Sequence, residues 1–143
     1  MELSAITKVL GGQRVLGKRI KTRLDLIELS SSGVTKDALA HLANNMCFSM
    51  SQMAELLPVA ERTIQRYSPE KHFTPYVSEH ILQIAEVVAR GSEVFEDMDN
   101  FLSWMNHPTK ALGDTTPASL LKTRFGVELV LDELARIEHG VFA

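Results

Sequence analysis

The chain has one cysteine, one tryptophan and only 6% aromatic residues among its 143. A single Cys47 excludes an internal disulfide and any cysteine-based zinc framework, and it suits a reducing compartment. Met46 and Phe48 on either side of it predict a buried thiol. No apolar run approaches the ~18 residues of a membrane span. The start, Met1-Glu2-Leu3-Ser4, lacks a signal-peptide pattern, so a cytoplasmic protein with no membrane partner is expected. The five histidines are scattered, and no two share an i, i+4 helix face. There is no glycine-rich phosphate loop and no nucleophile motif. Glu93, Glu96, Asp97 and Asp99 lack the spacing and glycine of a calcium loop. Neither metal, nor cofactor, nor an enzymatic activity is expected.

What is present is apolar material, at 45% of the residues, with 23% charged, enough for a real core. The net charge of −3 conceals an asymmetry. Residues 1–71 hold ten Lys/Arg against seven Asp/Glu, whereas residues 72–143 hold five against eleven. Nucleic-acid affinity rests largely on cations neutralising phosphates, so DNA contact belongs to the front and a protein partner to the acidic back.

Periodicity predicts an all-α chain. Leu16, Ile20, Leu24 and Ile27 follow helical spacing from Gln13 to Leu29, with Gly17 a weak point, and Ser30 to Gly33 reads as a turn. Thr35 caps a helix running to about Asn45. Ser49 caps a short helix with Met53, Leu56 and Leu57 inside; Pro58-Val59 breaks it, and Ala60 to Tyr67 forms another. This is a helix-turn-helix pattern whose second helix leaves Arg62, Thr63, Gln65 and Arg66 outward or sideways. Arg and Gln suit base edges; Ser49, Gln52 and Thr63 suit phosphates. Ala60 stands where a capping residue would be expected, and Glu61 brings a negative charge. Ser78 is then read as the cap of a helix Glu79–Arg90 ending at Gly91. That helix is apolar around most of its circumference, which suggests a homodimer interface through Ile81, Ile84 and Val88.

The last forty residues carry the most specific pattern. Trp104-Met105 precedes Pro108, Ala111-Leu112-Gly113, Thr116-Pro117, Leu120-Leu121 and Thr123. Thr116 and Pro117 start a helix, and Gly126 reads as its C-terminal cap. Val127, Val130, Leu131, Leu134 and Ile137 form the stripe of a last helix, leaving Leu129 off it as a candidate for a partner surface. Gly140 can turn the chain off that helix, leaving Val141 and Phe142 as an apolar hook.

The order W-M-x-x-P-x-x-A-L-G-x-x-T-P-x-x-L-L-x-T, followed by G and then L-x-x-I-x-x-G, resembles the C-terminal toxin-binding domain of Xre/MbcA/ParS antitoxins. More narrowly it resembles the antitoxin of a RES–Xre toxin–antitoxin module. The likeness is strong over the last third and weaker over nearly the whole chain. It implies an all-α fold with an N-terminal Xre-like helix-turn-helix lobe and a small helical toxin-binding domain. The segments expected are an N-terminal helical segment (1–33), the helix-turn-helix (34–77), a connecting and dimerising helix (78–98) and the toxin-binding domain (99–143). The resemblance implies a RES-domain, NAD+-degrading toxin as partner, its active site occluded by the antitoxin, and autorepression at the operon's own promoter DNA. Trp104, Pro108, Leu112, Leu121 and Arg124, with Glu138, His139, Gly140, Val141, Phe142 and Ala143, are the expected toxin-binding residues. Alternatives are an antitoxin to a related ADP-ribosyltransferase toxin, or a helix-turn-helix regulator whose C-terminal domain only dimerises.

Overall fold

The computed structural model describes residues 2–140, without the side chain of Glu2. Among these, all regular structure is helical: α1 (Glu2–Val9), α2 (Gln13–Leu16), α3 (Arg23–Ser32), α4 (Lys36–Met46), α5 (Met50–Leu56), α6 (Glu61–Arg66), α7 (Pro75–Phe95), α8 (Met98–Met105) and α9 (Arg124–Glu138). Two 3-10 turns, Lys110–Leu112 and Ala118–Lys122, lie between α8 and α9. Two isolated bridges, Thr35 with His72 and Thr109 with Thr115, tie loops together.

The axis of the molecule is α7. Pro75 occupies its first turn, where a missing N–H costs nothing, and Thr74 caps it by accepting from the Val77 N–H. The helix is about 30 Å long at 1.5 Å per residue. α1, α3, α4, α8 and α9 all pack on it. Ile81, Ile84 and Val88 are fully covered by these neighbours. The expected homodimer interface through those three residues is therefore corrected: the all-round apolar surface is satisfied within one chain. The start of this helix is corrected too. It begins before Ser78, and the expected boundary at residue 78 falls inside it. Ser78 is buried, accepting from the Val34 N–H at 2.8 Å and donating to the Phe73 carbonyl, so it staples the chain before α4 to the start of α7. Gly91 does not end the helix, because the Phe101 ring of α8 lies against it.

The front of the chain departs further from simple periodicity. Gly17, in the left-handed conformation at φ 71°, closes α2, and the helix restarts at Arg23 in another register. Ile20 and Leu29 are buried, while Leu24 and Ile27 are 71% and 61% exposed. The three serines continue α3 up to Gly33 rather than forming a turn. Cys47 is exposed, not buried: it is the left-handed C-cap of α4, and its neighbours Met46 and Phe48 take the inward positions. No helix of the described residues is long and apolar enough to cross a membrane.

Candidate functional site

The first surface is built on α4, α5 and α6. Ser49 and Gln52 form a reciprocal cap: the Ser49 hydroxyl accepts from the Gln52 N–H at 3.1 Å, and the Gln52 carbonyl oxygen accepts from the Ser49 N–H at 2.8 Å. Both are exposed, but their acceptor atoms are committed to starting α5. Met53, Leu56 and Leu57 turn inward, Pro58 and Val59 make the turn, and Ile64 anchors α6 at zero exposure. At 100° per residue, Arg62 and Arg66 then stand on the side of α6 opposite Ile64, one turn apart. Both are exposed. Gln65 is also exposed and donates to Glu61 at 3.3 Å, while Thr63 is half-buried. Ala60 offers no side-chain cap, so Glu61 at the N-terminus and Arg66 at the C-terminus are left to complement the helix dipole.

The second surface is the C-terminal domain. Phe95, Phe101 and Trp104 form an aromatic cluster with ring centroids 5.5 to 6.3 Å apart. Trp104 is half-buried, so it is largely part of the platform. Pro108 and Arg124 are exposed and Leu112 is half-buried. Leu121 has no exposed surface, which removes it as a direct contact and makes it core. Thr116 caps the second 3-10 turn by accepting from the Ser119 N–H. Gly126 is corrected from a C-terminal cap to a position in the first turn of α9. There it is buried, and a β-carbon would stand 1.7 Å from the Leu120 carbonyl oxygen. Thr123 caps α9 by accepting from the Gly126 N–H at 3.0 Å.

Val127, Val130 and Leu134 are buried beneath α9 as the stripe requires, whereas Ile137 at its end is 37% exposed. Phe125 and Leu129 are 73% and 52% exposed, and lie one turn apart on the opposite face. The sequence pointed to Leu129 but missed Phe125, whose place one turn before Leu129 was the available signal. Glu138 pairs with Arg90 of α7, His139 is exposed at the helix end, and Gly140 takes the left-handed φ of 59°. Val141, Phe142 and Ala143 lie outside the described residues.

The two surfaces are joined at one corner, where the second 3-10 turn packs on α5. His80 of α7 reaches across and donates from Nε2 to the Leu121 carbonyl at 2.7 Å. No group of three or more metal-ligating side chains occurs among the described residues.

These features define a helix-turn-helix protein with a second helical domain set on the same long helix. Residues 25–86 match the antitoxin Xre-like helix-turn-helix domain, and residues 90–140 match the antitoxin Xre/MbcA/ParS C-terminal toxin-binding domain. The chain belongs to the Xre/MbcA/ParS antitoxin family, whose members are antitoxins rather than enzymes. Antitoxin Xre of Yersinia enterocolitica serotype O:8 / biotype 1B is 38% identical over 80 residues, covering 55% of this chain and 54% of that one. Antitoxin Xre of Photorhabdus laumondii subsp. laumondii is 35% identical over 78 residues, covering 54% and 53%. The chain thus spans about half the length of these two relatives. The Prs ADP-ribosylating antitoxin of Sphingobium sp. is 26% identical over 130 residues, covering 84% and 82%. A chain of the M. tuberculosis MbcT–MbcA toxin–antitoxin complex superposes with a TM-score of 0.55 at 16% identity, covering 87% of this chain and all of that one, a likeness of fold alone.

Proposed function

We propose that this protein neutralises a cognate toxin through its C-terminal domain and represses its own operon through α6. The observation that carries the first half is the match of residues 90–140 to a toxin-binding domain, with Phe125 and Leu129 of that domain facing solvent. The toxin is a RES-domain enzyme that degrades NAD+, a reading supported by the resemblance of the Trp104–Gly140 pattern to RES–Xre antitoxins. The end of the chain, from Glu138 through Phe142, occludes the toxin's active site, while exposed Pro108 and Arg124 add contacts at the rim. An antitoxin acting in this way needs no chemistry of its own. Arg62, Arg66 and Gln65 face the operator, and their exposure opposite the buried Ile64 supports that reading.

The relative named as a Prs ADP-ribosylating antitoxin, similar over most of both chains, supports a second reading in which the partner transfers ADP-ribose to a protein. Both reactions consume NAD+, so the product separates them. The test is co-expression with the toxin encoded beside this gene, followed by purification of the complex and assay of the released toxin. Free ADP-ribose or its phosphorylated form supports the degrading enzyme; a labelled protein supports the transferase; failure to co-purify any toxin removes the antitoxin reading.

A further inference from the structure

Two shallow channels run along the same side of α7 and share Glu79 and Gln83. One, of about 400 Å³, lies between the start of α7 and the corner leading into α9, walled by Tyr76, His80, Lys122, Arg124 and Phe125. The other, of about 350 Å³, lies between α7 and α3, walled by Arg23, Leu26, Ile27 and Glu86. The combined face gathers four of the six exposed large hydrophobic residues described: Leu24 at 71%, Ile27 at 61%, and Tyr76 and Phe125 at 73% each. Leu24 and Ile27 share one face of α3, being three residues apart.

A face of this kind is larger than solubility alone explains. Two aromatic side chains so exposed offer on the order of 100–200 Å² each. With the two aliphatic residues, the apolar area reaches several hundred Å², the upper end of what monomers display. It is a substantial part of the ~800 Å² per partner that a standard interface covers.

The charges distinguish among occupants. Around the apolar residues stand three cations, Arg23, Lys122 and Arg124, and two anions, Glu79 and Glu86. Nucleic acid selects a cationic face, and the two carboxylates oppose it. A partner of one strong sign would likewise meet repulsion from half the rim. A two-fold contact, by contrast, places each patch against itself, so an apolar centre with both signs at its rim is self-complementary.

We infer that the α3–α7–α9 face, centred on Ile27, Tyr76 and Phe125, is the surface on which a second copy of this chain docks. Such a dimer is held by residues of both family-matched domains. It leaves Arg62 and Arg66, which wall neither channel, available to two half-sites.

The experiment is sedimentation equilibrium of the full chain without toxin, for the wild type, Ile27→Glu, Phe125→Glu and, as a control outside both channels, Lys110→Glu. All three altered residues are exposed, and circular dichroism and thermal melts check that each variant is folded. The expected result is a dimer for the wild type and Lys110→Glu, with dissociation constants raised on the order of tenfold or more in the two channel variants. A monomeric wild type across the micromolar range overturns the inference, as does an undiminished dimer in both channel variants. If the wild type is monomeric and the same variants lose a co-expressed toxin instead, the face belongs to the toxin and the second copy is excluded.

Discussion

Gly91 lies flat beneath the ring of Phe101: a β-carbon built on it would stand 2.0 Å from Cε1 and 2.4 Å from Cδ1. The ring cannot easily swing aside, because Phe95 and Trp104 hold it at centroid distances of 5.8 and 6.3 Å. Ala in mid-helix is worth about 1 kcal/mol over Gly. Overpacking a filled core costs about 1–3 kcal/mol, and here the approach is severe. Gly91→Ala is therefore expected to destabilise the protein, by about 1–2 kcal/mol in urea titration, once the propensity gain is subtracted. Gly126→Ala is expected to cost more, since its obstacle is the Leu120 backbone at 1.7 Å rather than a side chain. A Gly91→Ala protein as stable as the wild type would show that α8 shifts freely against α7.

Ser78→Ala removes the only printed partner of the buried Val34 N–H and one donor to the Phe73 carbonyl. Leaving a buried donor unsatisfied costs about 1–3 kcal/mol. The expected outcome is a loss of that size in denaturant titration. Unchanged stability would mean that water reaches the site.

Arg66→Ala is expected to weaken binding to the operon's own promoter by about 1–3 kcal/mol if it reads a base edge. Arg62→Ala should behave similarly, and toxin neutralisation should survive both. Promoter binding measured at fixed salt checks this, and equal affinity for both variants and wild type would take α6 out of the DNA interface.

Deleting Val141–Ala143, or placing a bulky tag after Ala143, is expected to leave a folded protein that still binds DNA but no longer protects cells from its toxin. Cell survival on toxin induction, with the antitoxin at native expression, is the readout. Full protection by the truncated chain refutes occlusion by the tail; loss of fold assigns those residues to the protein's own core.

Asp25 accepts from the Lys21 and Thr22 backbone N–H groups, and these bonds, with a smaller contribution from Lys18, hold its carboxyl below the ordinary value of 3.8. A depressed folded value stabilises the protein fully above 3.8 and loses that contribution as pH falls through the folded value. Asp25→Asn is expected to be less stable than wild type at neutral pH, with the gap closing on acidification below 3.8. Thermal melts across that range check it, and a gap independent of pH would contradict the assignment.

Much of the fold was legible because capping and turn chemistry are local. Thr35, Ser49 and Thr116 start their elements as the residues themselves suggest, and the spacing of Met53, Leu56 and Ile64 places Arg62 and Arg66 outward. The Val127–Leu134 stripe likewise marks the inner face of α9. Helical spacing states that residues share a face; it does not state what covers that face. Ile81, Ile84 and Val88 needed five neighbouring helices to be placed as core rather than interface, and Leu24 and Ile27 needed the kink at Gly17 to be turned outward. Gly126 suits a helix end or a close crossing equally well, and only the approach of the Leu120 carbonyl decides between them. Ser78 has the composition of a cap, yet its hydroxyl is used 44 residues away at Val34, a distance no local pattern spans.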